Sequence, residues 1–326
     1  MANKDPDIGA NEINKSAESP SQPSIAAHSA NDAKVSKSPF NGLWSLTNRE
    51  LAKWYKVPML LFLSLVQPVI WLSLFGKAFN IASLVTPTSI NIPGLNIPKA
   101  LLDQIAAALS QGLSQGIFAG TDYFSFLSVG MLGFIILSTA MFSGFSIVWD
   151  RRFGFLNKAL STPVARGTIV MGKVLSSVVR SLIQAAIVLI IAVLLGMNTS
   201  YFTVIGVIGT FIALFLLTFG FSSFFLMLAL RSGDWQTQMA IANLLLLPLL
   251  FGSNALFPIS AMPGWLQAFV RINPISYSTD IGRQLLLHPA STSILNTVPF
   301  DLAYLGGFAI ILSLIGIVAS WKLLTK

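Results

Sequence analysis

Lys173, Ser177, Arg180 and Gln184 stand at spacings of four, three and four in a largely apolar run. Such spacings place all four on one face of a helix, and Arg180 is the one charge set well inside a hydrophobic stretch. That face either lines a path for a polar group or closes one through hydrogen bonds to a neighbouring helix. Arg180 could equally snorkel, because it lies about 10 Å along the axis from Lys173 and its long stem can bend toward the headgroups. Just ahead, Gly167 to Val174 reads GTIVMGKV, which follows the phosphate-loop pattern as far as Lys173 and then puts Val174 where a magnesium-binding hydroxyl is required. A phosphate loop follows a buried strand, whereas this stretch follows a polar loop and runs into an apolar helix. It is not read as a nucleotide site.

Other chemistry is scarce. The chain has no cysteine and two histidines, His28 and His288, and the carboxylates of Asp122, Asp150, Asp234 and Asp301 stand at the edges of apolar segments. No Ser/His dyad, HExxH motif or paired carboxylate can be assembled, so no catalytic residue and no metal site is expected. A proton-driven carrier would normally carry a buried acid in a span as its relay, and the lack of one counts against secondary transport.

The elements that must position these groups follow from composition. Of 326 residues, 54% are hydrophobic and 10% charged, against roughly 25% charged in a soluble domain. Lipid must serve as part of the solvent. Residues 1–57 hold seven basic and six acidic groups, so nearly all of the net charge of +8 belongs to the apolar remainder. A basic excess in an apolar chain fixes membrane orientation, and no nucleic acid is expected.

The fold class read from this pattern is an all-α integral membrane protein. Residues 1–39, rich in Ser, Ala, Asn and Pro, form a disordered cytosolic tail without the apolar core of a signal peptide. Residues 40–57 form an amphipathic helix with Leu43, Leu46 or Thr47, Leu51 and Trp54 on one face, and Arg49, Glu50, Lys53 and Lys56 directed elsewhere. With Trp44 and Trp54 it suits the headgroup plane, or else packs as a solvated helix on another domain. Residues 58–326 carry six apolar runs: Pro58 to Phe79, Phe124 to Val148, Val174 to Met197, Val204 to Leu228, Met239 to Phe257 and Leu302 to Trp321. Pro68 and Pro248 mark kinks in the first and fifth.

With the N-terminus inside, eleven basic residues face the cytosol: Arg49, Lys53, Lys56, Arg151, Arg152, Lys158, Arg166, Lys173, Arg231, Lys322 and Lys326. Lys77, Lys99, Arg271 and Arg283 lie outside, so both termini are cytosolic. Of the outer segments, 80–123 contains a short amphipathic helix with Leu102, Ile105, Leu109 and Leu113 on one face. Segment 258–300 forms a re-entrant or interfacial helical hairpin closed by Asn273 and Pro274. Its second arm starts near Ser278 or Thr279, with Asp280 in the first turn where a carboxylate complements the helix dipole. The inner loop 149–173 reads as a short basic amphipathic helix with Phe153, Phe155, Leu156, Ala159 and Leu160 as its apolar set and Pro163 as its stop. That helix either binds anionic lipid or fits a groove on a partner protein.

Two blocks of residues resemble the permease subunits of type-2 ATP-binding-cassette exporters, which handle drugs, lipids or polysaccharides. The inner block is Arg151, Gly154, Leu156, Leu160, Pro163, Arg166 and Gly172-Lys173; the outer one is Phe257-Pro258, Met262-Pro263, Trp265-Leu266, Asn273-Pro274, Ser276-Tyr277, Asp280 and Arg283. The resemblance covers the chain from Phe40 onward. The chain departs from the family's pattern at Arg152, where an acid is frequent, and at Asn254, where glycine is common. The first puts a particular salt bridge to the ATPase in doubt, and the second the packing of the outer turn.

The resemblance implies a plasma-membrane permease that binds no cofactor itself, forms a homodimer among membrane lipids and pairs with an ATPase subunit that uses ATP and magnesium. It implies that the interfacial helix and the coupling helix at Arg151 to Leu160 receive the ATPase motion. Arg151, Arg152, Lys158 and Arg166 would then supply charge complementarity, with Phe153 and Phe155 as the packed anchor and Gly154 between them. A lipid-like drug, a lipid or a lipid-linked glycan suits the aromatic and aliphatic interior. The alternative function is an ATP-independent channel or secondary carrier.

Overall fold

The computed structural model describes residues 39–78, 121–161, 166–232, 234–287 and 297–324, with a few positions between 98 and 108. The expected outer helix at Leu102 to Leu113 lies largely outside the described residues, as do Pro163 and the tail before Pro39. Among the described residues the regular elements are all helical. Helix α1 is Pro39–Tyr55. Helix α2, Pro58–Ser73, opens on Pro58, whose fixed φ and missing N–H suit a first helical position, and continues as a π-helical segment, Leu74–Ala78. The central helix α3, Tyr123–Arg152, starts at Asp122, whose carboxylate accepts the Ser125 N–H at 2.9 Å.

A short helix α4, Phe155–Leu160, then leads to α5, Arg166–Leu194, and α6, Val204–Ser232. Helix α7, Trp235–Phe251, is capped by Asp234, which accepts the Thr237 N–H at 2.7 Å. Two short helices follow, α8 at Gly264–Val270 and α9 at Pro274–Leu286, before α10 at Val298–Leu324.

Among the described residues, four helices are long and apolar enough to cross a membrane: α3, α5, α6 and α10, with mean hydropathy of 2.0 to 2.4 in their best windows. At about 1.5 Å per residue each exceeds the roughly 30 Å of a hydrocarbon core. The other two apolar runs form the shorter α2 and α7, of 16 and 17 residues, each with an internal proline. The fifth run does not continue as helix to Phe257. Its last turn closes with the Gly252 N–H on the Pro248 carbonyl at 2.8 Å, and the chain then turns. Helix α3 runs past Val148 to Arg152, and α5 begins at Arg166 instead of Val174, so Lys173 is helical rather than part of a loop.

Helix α9 also departs from expectation, since it starts at Pro274 and not near Ser278. Asn273 supplies the cap, its side-chain oxygen accepting the Ile275 N–H at 3.0 Å. Asp280 therefore sits in the second turn, where it no longer complements the helix N-terminus.

Helix α3 forms the centre, packed by α5, α6, α7, α9 and α2 and buried on almost every side, while α10 rests on α6 with much of its surface exposed. Close approach explains its glycines. A Cβ on Gly130 would meet the Ala255 carbonyl oxygen at 1.9 Å, and one on Gly144 the Phe225 oxygen at 2.7 Å. Buried hydroxyls along α3 donate back to their own helix, as Ser128 does to Phe124 at 2.7 Å and Ser143 to Ala140 at 2.7 Å. They cost no unpaired polar group.

Gly130→Ala is expected to lower the melting temperature in detergent, overpacking a site of this kind costing about 1–3 kcal/mol or more. Gly306→Ala on α10 meets nothing within 4 Å and is expected to hold or raise it. Equal melting of the two variants would contradict the packing of α3 on the Ala255 turn.

Candidate functional site

At the end of the bundle rich in basic residues, α1, the last turns of α3 and the start of α5 meet around one ammonium. Lys173 Nζ lies 2.6 Å from Asp150 Oδ2, 3.1 Å from Ser146 Oγ and 3.5 Å from Glu50 Oε1. Lys53 covers the same acids, at 2.9 Å from Glu50 and 3.2 Å from Asp150, and Arg49 does so at 2.8 and 3.5 Å. Glu50, Asp150 and Lys173 are buried, while Arg49 and Lys53 reach solvent.

Burial acts to raise the Glu50 carboxyl, but the nearby ammonium groups of Lys173 and Lys53 and the Arg49 guanidinium outweigh it and hold it at about 2. Two buried acids matched by three cations form a lock that loses far more when one partner is removed than it contributes relative to an apolar core. Thr47 completes the seam, donating to the Leu43 carbonyl at 2.8 Å and reaching the Gly172 carbonyl at 3.4 Å. Gly172 permits the approach, since a Cβ there would lie 3.0 Å from that of Leu46.

This corrects the expected face of α1. Glu50 does not point away with Arg49, Lys53 and Lys56; it is buried with Thr47 and Trp54 at positions i, i+3 and i+7. Trp44 lies on the exposed side. The charge on α5, which no local period of α1 records, selects this register.

Helix α4 hangs between α3 and α5. Gly154, at φ +73°, provides the left-handed turn that ends α3 and starts α4. Leu156 enters a small apolar cluster with Ile147, Val148, Ile169, Val170 and Leu230. That contact leaves Phe153 and Phe155 outward, 60% and 54% exposed, beside the exposed Arg152 and Lys158. Arg151 is half-buried, and its Nη2 donates to the Leu230 carbonyl at 3.3 Å, near the end of α6. Arg166 opens α5.

One cleft lies at the end of α3, lined by Val148, Trp149, Arg152, Phe153 and Trp235, and another lies along α4, lined by Leu46, Arg49, Phe155, Lys158, Ala159 and Ile169. Trp149 meets Trp235 edge to face at 5.3 Å and Phe153 at 5.7 Å. The sequence reading missed both tryptophans. Trp149, a large aromatic at the end of a span beside Asp150 and Arg151, was the available signal.

The polar face of α5 is divided among different partners. Ser177 accepts from Ser222 of α6 at 2.8 Å, while Gln184 accepts the Thr139 hydroxyl of α3 at 2.6 Å and donates to Ser64 of α2 at 2.6 Å. Lys173 is absorbed by the lock. Arg180 is half-buried, with its Nε 3.4 Å from the Ser176 carbonyl one turn back.

At the other end, the outer block folds around Arg283. Its guanidinium donates to the carbonyls of Asn254 at 2.8 Å, Ala255 at 3.0 Å and Phe126 at 3.1 Å, and lies 3.4 Å over the Phe126 ring. Arg283 is buried. Asn273 Nδ2 donates to the Leu249 and Gly252 carbonyls at 2.7 and 2.8 Å, closing the end of α7. The Tyr277 hydroxyl donates to the Arg271 carbonyl at 2.6 Å, and its ring stacks on Tyr304 at 3.9 Å. Asp280 is buried and accepts from Gln284 at 3.0 Å. Pro258 is buried in the turn, Pro263 precedes α8 and Trp265 is exposed. Asn254, at the position where glycine is common, accepts the Thr279 hydroxyl with its side-chain oxygen and Arg283 with its carbonyl, while its Nδ2 is buried without a hydrogen-bond partner.

The part of the stability in detergent that comes from Glu50 is expected to be constant above about pH 4.5 and to be lost as the pH falls toward about 2. The sign follows from a folded carboxyl held below its ordinary value, which stabilises only while ionised. Glu50→Gln is expected to remove that component, at most about 3 kcal/mol. Lys173→Met, which strips the buried acids of their central partner, is expected to cost about 3–5 kcal/mol. Identical acid profiles for the wild type and Glu50→Gln would contradict the lock.

The family model for the ABC-2 type transporter matches residues 41–287. A transport permease named ycf38 from Cyanophora paradoxa is 29% identical over 263 residues, 80% of this chain and 79% of that protein. The daunorubicin resistance ABC transporter permease protein DrrB1 of Streptomyces coeruleorubidus is 27% identical over 173 residues, 52% of this chain and 61% of its own. Nodulation protein J of Rhizobium meliloti is 24% identical over 219 residues, 67% of this chain and 81% of its own. The matched range holds the lock from Glu50 to Lys173, helix α4 and the outer block up to Arg283, and the chain belongs to the ABC-2 type transporter family.

Proposed function

We propose that this chain is the membrane-spanning permease subunit of an ATP-driven exporter in the plasma membrane. It works as a homodimer with separate ATPase subunits docked at the basic, cytosolic end, where both termini lie. The observation that carries this reading is helix α4, whose exposed Phe153 and Phe155 stand beside Arg152 and Lys158 while Leu156 anchors it to the bundle. An aromatic anchor ringed by cations suits an acidic, partly apolar surface on a protein partner.

In this reading α2 with its π-helical extension and α7 with the following turn are the first and fifth of six spans, and α1 lies at the membrane surface. Helices α8 and α9 form the outer re-entrant hairpin. ATP and magnesium are handled by the partner, and the permease converts motion. A push on α4 reaches α3 through Gly154 and α5 through the Leu156 cluster, and the lock makes α1 follow them. Differential binding of the ATPase to two arrangements shifts access from one side to the other. The cargo class is a hydrophobic drug, a lipid or a lipid-linked glycan.

Affinity purification of the full chain from its native membrane is expected to bring down an ATPase in stoichiometric amount. Phe153→Asp with Phe155→Asp is expected to reduce that yield about ten-fold or more, as for the loss of two interface anchors. An unchanged yield with the folded double variant, or no ATPase with the wild type, would sink the proposal.

A further inference from the structure

Arg180 is the member of the polar face whose charge has no ion-pair contact among the described residues. Among the described residues no carboxylate lies within 4 Å of its guanidinium, and its two terminal nitrogens have no hydrogen-bond partner. The acids nearest along the face, Glu50 and Asp150, already share Arg49, Lys53 and Lys173. Arginine does not discharge itself in proteins, and a cation set within an apolar span is costly unless something pairs with it. Glu50 attracts it only from beyond contact distance, so a partner touching the guanidinium would come from outside the chain.

The surroundings define what can supply it. Gln184, one turn further along, ties α5 to Ser64 of α2 and Thr139 of α3, so these three helices meet one turn beyond Arg180. From Arg180 an open strip runs along α5 away from the basic end: Ile183 is exposed, Ile187 half-buried, and Ile190 and Leu194 exposed. Ile183 and Leu194 are eleven residues apart, about 16 Å of helix, comparable to an acyl chain. One cation at the head of a one-sided apolar strip is the complement of a molecule with an acidic head and an apolar tail.

We infer that Arg180 and the strip Ile183, Ile187 and Ile190 form a binding site for an acidic amphiphile. Its phosphate, sulfate or carboxylate accepts the guanidinium's free N–H groups in a forked geometry, and its tail lies along α5. Membrane lipid and exported cargo could both present this chemistry. That the occupant is cargo rests on the exporter reading; the site itself does not.

The test uses the full chain in dodecyl maltoside micelles and in phosphatidylcholine nanodiscs, with no ATPase present, so failure of the coupling proposal leaves it unaffected. The probe is dodecyl phosphate, with dodecyl maltoside as the uncharged reference and binding read by native mass spectrometry. Wild type is expected to bind the phosphate about ten-fold more tightly than Arg180→Gln, the scale of one charged hydrogen-bonded contact. Arg180→Lys is expected to keep part of that preference, and Arg231→Gln, at an exposed cation on α6, all of it. Equal binding by wild type and by Arg180→Gln of unchanged melting temperature overturns the site. If Arg180→Gln does not fold, a wild type indifferent to phosphate over maltoside overturns it instead. Adding phosphatidylglycerol to the nanodiscs separates the sources: displacement of the probe identifies a lipid occupant, and retention an acidic cargo.

Discussion

The burial of Lys173 between Asp150 and Glu50 is the constraint on which the basic end depends. An ammonium taken out of water is tolerable only with carboxylates at contact distance, and these come from two other helices. The requirement sets the rotation of α1 about its axis, the proximity of α1 to α5 at Gly172, and the depth at which α3 ends. Helix α4 leaves α3 three residues after Asp150, so its position is referenced to the same ammonium.

The two ends of the bundle use arginine and lysine differently. At the basic end opposite charges meet and the exposed partners remain in water. At the other end Arg283 gathers three carbonyls from a turn and from α3, its planar fork suited to several acceptors at once. Between them the polar residues of α5 tie α2, α3 and α6 together through short hydroxyl and amide bonds, and Arg180 stands apart from that network.

Much of this was legible from residue types. The apolar runs located every long helix, and the spacing of Lys173, Ser177, Arg180 and Gln184 identified a polar face that exists. Hidden from the sequence were its partners, because Ser64, Thr139 and Ser222 sit on other helices at separations no local pattern encodes. Glu50 was misplaced for the same reason, since a helical wheel treats a charge as outward until its counter-ion is known. The start of α9 was misjudged differently: Asn273-Pro274 was read as a stop, although an asparagine cap followed by proline at the first position is equally a helix start.

The fork of Arg283 has a further consequence. Its acceptors are neutral dipoles fixed by the backbone, and the group is shut away from solvent ions, whereas the acids around Lys173 are matched partly by Arg49 and Lys53 in contact with water. Dissolved salt weakens exposed charge pairs much more than buried ones. The molecule is thus anchored at one end by contacts indifferent to ionic strength and at the other by contacts that respond to it. Dissolved electrolyte therefore acts on the basic end more strongly than on the Arg283 knot.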